Sequence, residues 1–133
     1  MSPIEWCADY MVGHDDIDAQ HKRLVEIINT LGQDLEGPSP LSIDQTLNAL
    51  AQYTIYHFSY EEALFSQSGY PDFLVHQEQH KHFIDKVLTY RDDFENGNPV
   101  DAIKLYAFLK MWLVNHICVS DKKMFTWVDE TSA

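Results

Sequence analysis

Residues 47–64, LNALAQYTIYHFSYEEAL, carry the pattern that decides the fold. Leu47, Leu50, Thr54, His57, Glu61 and Leu64 are spaced by alternating steps of three and four. That period lines one face of an α-helix, and the alternation of a strand is absent. The same spacing recurs in three other places. His21, Leu24, Ile28, Leu31 and Leu35 form a first seam. Phe73, His76, His80, Phe83, Val87, Tyr90 and Phe94 form a third, and Leu105, Leu109, Trp112 and His116 a fourth.

Turn residues separate these seams. Gly37-Pro38-Ser39-Pro40, Ser68-Gly69-Tyr70-Pro71 and Glu95-Asn96-Gly97-Asn98-Pro99 each combine a helix stop with a proline. The spacing predicts helices over roughly 17–36, 41–67, 71–95 and 100–118. An arm, residues 1–16, precedes them, and an irregular or helical tail follows to about 128. At 1.5 Å per residue the helices would span about 27–40 Å. Short loops between long helices make neighbours antiparallel. The expected fold is all-α: one domain over 1–133, an up-down-up-down four-helix bundle with the N-terminal arm packed on it.

The seams contain an anomaly. His21, His57, Glu61, His76, His80 and His116 occupy positions where Leu or Ile belongs. Burying an unpaired polar group costs several kcal/mol. One buried histidine can be satisfied by a carbonyl, and His57–Glu61 taken alone could be a surface i,i+4 pair. Six such groups on four inward faces require a common partner, and metal ions are that partner. Five imidazoles and a glutamate exceed the needs of one tetrahedral zinc, so two metals are expected. Asp121 would add a second carboxylate. Mixed imidazole and carboxylate ligation suits iron or manganese, and zinc and copper also accept imidazole.

The runs Ile17-Asp18-Ala19-Gln20-His21-Lys22, His57-Phe58-Ser59-Tyr60-Glu61-Glu62, His76-Gln77-Glu78-Gln79-His80 and His116-Ile117-Cys118-Val119-Ser120-Asp121 together resemble the signature of the haemerythrin family, its single-domain bacterial members in particular. The likeness spans roughly residues 6 to 125. It implies a centre of two Fe ions joined by an oxo or hydroxo bridge and by Glu61 and Asp121. His76, His80 and His116 would fill one iron. His21 and His57 would hold the other, which keeps an open position. O2 would bind end-on there, each iron supplying one electron. Leu24, Phe58, Trp112, Leu113 and Ile117 match the family's apolar O2 pocket, and ordinary core packing accounts for the same residues equally well.

Asp121 is the awkward ligand. A straight helix turns about 100° per residue, which puts it about 140° from His116. The helix is therefore expected to bend, end or change pitch near Val119-Ser120. Asp18 and Gln20, beside the first ligand, are candidates for orienting hydrogen bonds or a helix cap. His14 and His82 fall off the seams and read as surface histidines. Cys118 turns away from His116 and reads as packing.

Composition narrows the function classes. The chain has 133 residues and a formal net charge of -12. Such a surface repels nucleic-acid phosphates and anionic membranes, so neither is expected as a partner. No apolar run is expected to reach the length of a membrane span, and Met1–Asp16 lacks the basic and apolar regions of a secretory signal. With two cysteines outside any CxxC pair, a reducing cytoplasm is expected, and the resemblance to single-domain bacterial haemerythrins implies a monomer. The resemblance favours an O2 carrier or store, O2 being delivered to an oxygen-consuming enzyme. A sensor of O2 or nitric oxide acting through a partner is the alternative, as is a di-iron enzyme of peroxidase or nitric-oxide reductase type. Nothing resembles a nucleophile triad or a phosphate-binding glycine loop.

Overall fold

The computed structural model describes residues 3–33 and 40–131. Leu35 and the Gly37-Pro38-Ser39 break lie outside them. Four long helices form the bundle: α1 (Asp15–Gln33), α2 (Pro40–Phe65), α3 (Phe73–Glu95) and α4 (Ala102–Asn115). A π-helical segment, His116–Asp121, joins α4 without a break to α5 (Lys122–Thr131). α1 packs against α2 and α4, and α2 against α3. α3 meets α4 through rings, with Phe83 4.3 Å from Trp112 and His80 4.8 Å from His116, centroid to centroid. There is no strand among the described residues.

Local chemistry sets the joints. Gly69 and Gly97 adopt φ of +80° and +76°, the left-handed conformation that ends a helix. Asp101 caps α4, its Oδ1 accepting from Ile103 N (3.0 Å) and Lys104 N (3.2 Å). The arm is held at two points. Ile4 exchanges two 2.9 Å hydrogen bonds with the Asn29 side chain. Val12 N and Gly13 N donate to the Asp18 carboxylate at 2.7 and 3.2 Å.

The seams face inward, with one phase correction. Leu47, Leu50, Thr54, His57 and Glu61 are buried, but Leu64 is 51 % exposed and Phe65 is buried in its place. The step after Glu61 is four rather than three, because a second core lies below the site. There Phe65 packs with Ile17, Tyr70, Met124 and Phe125. The larger core, which includes Ile28, Leu47, Leu50, Val87, Leu105 and Leu109, fills the opposite end. His82 is exposed as expected. His14 is part-buried, its Nε2 3.0 Å from Asp129 Oδ1 and its ring against Phe125.

The length of the last helix corrects another expectation. Ala102–Thr131 is long and apolar enough, by length and composition, to cross a membrane, with a mean hydropathy of 1.3 over its best window. Its inward face carries His116 and Asp121, both buried against residues of the other helices. Ionisable groups so placed belong to a bundle interior.

Close approach of α1 and α4 depends on Gly32. A Cβ there would lie 2.6 Å from Cε2 of Tyr106, whose side chain is fully buried. Gly32→Ala gains about 1 kcal/mol of helix propensity. Overpacking a ring that has nowhere to move costs about 1–3 kcal/mol. Urea denaturation should show the variant less stable than the parent. A more stable variant would mean that the helices separate easily at this point.

Candidate metal centre

α1, α2, α3 and the π segment deliver buried side chains to one level. α1 brings His21, α2 brings His57 and Glu61, α3 brings His76 and His80, and the π segment brings His116 and Asp121. All seven side chains are buried. The i,i+4 pairs His57/Glu61 and His76/His80 share a helix face, as the 3.6-residue period requires. His116 and Asp121 are five apart and still share a face, because one residue more is wound into the turn. Lys122 N bonds Ile117 O, five residues back, which is the π pattern.

The two carboxylates divide the histidines into two sets. Glu61 Oε1 lies 2.7 Å from His76 Nε2 and 3.3 Å from His80 Nε2. Asp121 Oδ1 lies 2.9 Å from His76 Nε2 and 3.2 Å from His116 Nε2. The other oxygens face the other way. Glu61 Oε2 is 3.4 Å from His57 Nε2 and 3.8 Å from His21 Nε2, and Asp121 Oδ2 is 3.1 Å from His21 Nε2. Each carboxylate thus spans a three-imidazole half and a two-imidazole half.

The outer ring nitrogens are oriented by polar neighbours. His57 Nδ1 donates to Gln20 Oε1 (2.6 Å), and His116 Nδ1 to Gln79 Oε1 (3.1 Å). His80 Nδ1 is 3.2 Å from Glu62 Oε2. An imidazole that donates from Nδ1 presents an Nε2 lone pair inward, the form a metal needs. Gln20 is therefore an orienting residue, while Asp18 anchors the arm. Sequence reasoning missed Gln79 and Glu62. Their signal was position: each is a polar residue directly beside a seam ligand.

Several inward atoms have no hydrogen-bond partner. Both nitrogens of His21, Oε2 of Glu61 and both oxygens of Asp121 are buried and unsatisfied. His80 Nε2 and His116 Nε2 face each other at 3.0 Å. Converging nitrogen lone pairs and carboxylate oxygens in a dry core fit divalent cations. The cluster divides accordingly into His76, His80 and His116 with Glu61 and Asp121, and His21 and His57 with Glu61.

A sequence model, "Hemerythrin HHE cation binding domain", matches residues 12–128. The chain belongs to the haemerythrin family. It is 38 % identical over 117 residues to "Bacteriohemerythrin" of Pseudomonas paraeruginosa, covering 88 % of this chain and 76 % of that one. It is 32 % identical to "Hemerythrin-like protein" of Naegleria gruberi, covering 92 % and 91 %. A wild-type hemerythrin crystal structure superposes with a TM-score of 0.82 at 28 % identity, over 91 % of this chain and 94 % of that one. As in that family, the fold is a four-helix bundle, and its core is a cluster able to bind metal.

The apolar residues singled out beside the ligands divide into two groups. Leu24, Phe58, Leu113 and Ile117 are buried together in the main core. The Phe58 ring stacks on His80 at 3.9 Å and lies 5.6 Å from His57. Trp112 is half-buried and stacks on His116 at 4.5 Å. Together with Gln79, Phe108, Met111 and Val119 it lines an open groove of about 480 Å³ beside His116.

Electrostatics couple the cluster to protons. Burial alone would lower His21, but the carboxylates of Asp121 and Glu61, 3.1 and 3.8 Å from its Nε2, outweigh it and push it up to about 9. His76 behaves likewise, burial being outweighed by Asp121 and Glu61, and also reaches about 9. Burial, helped by His80 and His76, holds His116 down. Burial would raise Glu61, yet His21, His57, His76 and His80 hold it well below the usual carboxylate range. Burial and Glu61 would raise Asp121, yet His116 and His21 bring it far down. In the metal-free protein, two protonated imidazoles thus balance two carboxylates.

Two outcomes follow from this centre. The raised histidines stabilise the metal-free fold fully below their unfolded value near 6.5, and that stability is lost as pH rises through about 9. Cations must displace those protons. Metal uptake at pH 7 in weak buffer should release protons, read with an indicator dye, and the release should fade above pH 9. Equal release at both pH values would contradict protonated His21 and His76. Separately, Gln20→Leu removes the acceptor for His57 Nδ1. Chelator competition should show metal affinity lower by about 10–100-fold.

Proposed function

We propose that this protein binds O2 reversibly at a di-iron centre, as a carrier or store. The observation that carries the proposal is the donor set: five imidazoles and only two carboxylates, each carboxylate spanning both halves. His76, His80 and His116 would hold one iron and His21 and His57 the other, with Glu61 and Asp121 between them. A pair of ferrous ions would supply the two electrons that reversible O2 binding needs. The two-imidazole half, His21 and His57, offers one protein donor fewer than the other.

The chain's own residues favour return over turnover. Two carboxylates leave the centre with less negative charge than the four of di-iron carboxylate enzymes. Neutral imidazoles stabilise high-valent iron less well. Gln20 and Gln79 fix the ring planes of His57 and His116. Leu24, Phe58, Leu113 and Ile117, buried in the main core, would help to keep water from the centre, whose His21 and His57 rings are both buried. Excluding water and protons protects reduced iron from irreversible oxidation. No side chain in this wall offers a nucleophile or a proton relay.

Ferrous protein prepared without air should gain visible absorption on exposure to O2 and lose it on degassing, over repeated cycles. A centre left oxidised after every degassing would overturn the carrier reading. It would turn attention to catalysis, or to sensing through a partner. Delivery of O2 to an oxygen-consuming enzyme, a cytoplasmic location and a monomeric state belong to the same proposal.

A further inference from the structure

The stretch that carries Cys7 lies against the π segment that carries Cys118, beside the metal centre. Cys7 is exposed, and Cys118 is half-buried in the π segment. The Cys118 thiol lies 3.6 Å from the carbonyl oxygen of Asp9 and points to the arm rather than to His116. Asp9 is two residues from Cys7, in the 3₁₀ turn Ala8–Tyr10, whose Tyr10 N bonds Cys7 O at 3.1 Å. The turn and the π segment pack directly against each other. Nothing in the metal centre uses either sulfur.

Tyr10 holds the turn against the main core, its ring stacked on Trp6 at 5.5 Å, and leaves Cys7 exposed. None of its three residues is buried, and Cys7 just before it is extended, with φ −149° and ψ 176°. The firm attachments of the arm lie on either side, at Ile4–Asn29 and at Asp18. A disulfide requires the Cys7 sulfur to close to bonding distance of Cys118 Sγ, a rearrangement of the exposed Cys7 side chain and its extended backbone.

We propose that Cys7 and Cys118 form a reversible peroxide-sensitive pair whose disulfide ties the arm to the segment carrying His116 and Asp121. The oxidant is a peroxide. The exposed Cys7 sulfur attacks the O–O bond of H2O2; an S–O bond forms, O–O breaks, and water leaves, giving a sulfenic acid. The Cys118 sulfur then attacks that sulfur. S–S forms, S–O breaks, and a second water leaves with the remaining thiol proton. Two thiols and one H2O2 become one disulfide and two waters. A dithiol reductant reverses the bond by exchange. The pair does not depend on which small molecule the metal centre binds.

The test treats the full-length chain, as purified, with one equivalent of H2O2. Thiol titration in denaturant should fall from two to none, intact mass should drop by about 2 Da, and a non-reducing peptide map should show Cys7 joined to Cys118. Dithiothreitol should restore both thiols. In Cys118→Ser, Cys7 should accumulate as a sulfenic acid that dimedone traps. In Cys7→Ser, the remaining thiol should react several-fold more slowly. Hydrogen exchange of backbone amides in residues 7–12 should slow on oxidation of the parent chain. A Cys7 sulfenic acid that persists beside an unreacted Cys118 in the parent chain, or disulfides only between molecules, would overturn the proposal.

Discussion

The shared carboxylates are the constraint around which the rest is arranged. Glu61 places Oε1 against His76 and His80 and Oε2 against His57 and His21, and Asp121 places Oδ1 against His76 and His116 and Oδ2 against His21. Neither could be buried without positive charge on both sides. That charge can be carried by protons on His21 and His76 or by cations, and the same geometry accommodates either. The helices must therefore converge at one level, with five rings and two carboxylates in register. The apolar layers above and below hold them there. The main core lies at one end and the Ile17, Phe65, Tyr70, Met124 and Phe125 cluster at the other. The site is a polar layer between two apolar ones.

Orientation comes from outside that layer. Gln20, Glu62 and Gln79 sit at the rim, where each meets the far nitrogen of a ring. All three contacts cross between elements: Gln20 of α1 reaches His57 of α2, Glu62 of α2 reaches His80 of α3, and Gln79 of α3 reaches His116 of the π segment. They thereby couple ring orientation to helix spacing. The stacking of Phe58 on His80 and of Trp112 on His116 further restricts ring rotation. The centre is preorganised by packing as much as by hydrogen bonds.

Most of the bundle could be read in advance because helical periodicity is a local property. His21, His57, Glu61, His76, His80 and His116 announced themselves as polar residues in apolar seams. Leu64 misled because a second core shifts the phase by one residue, which periodicity alone does not register. The extent of the last helix was understated for a related reason. Met124 and Phe125 face a core that the upper seams do not share. Asp121 defied the helical wheel, and only the family likeness pointed to it; its placement depends on a backbone irregularity with no strong local sequence signature. Glu62 and Gln79 were hidden because their partners lie on other turns or other helices.

The π segment has an effect beyond placing one carboxylate. By taking one extra residue into a turn, it acts as a gear between α4 and α5. Everything after Asp121 is rotated relative to an uninterrupted helix, about a 100° step. That offset aims Met124 and Phe125 at Ile17 and Phe65, and it leaves Lys123 outside, where its Nζ reaches Asp72 Oδ2 at 2.9 Å. A single continuous rod thus serves two cores with different angular requirements. Straightening it would disengage the lower core as well as the bridge, so the irregularity that completes the site also closes the end of the bundle.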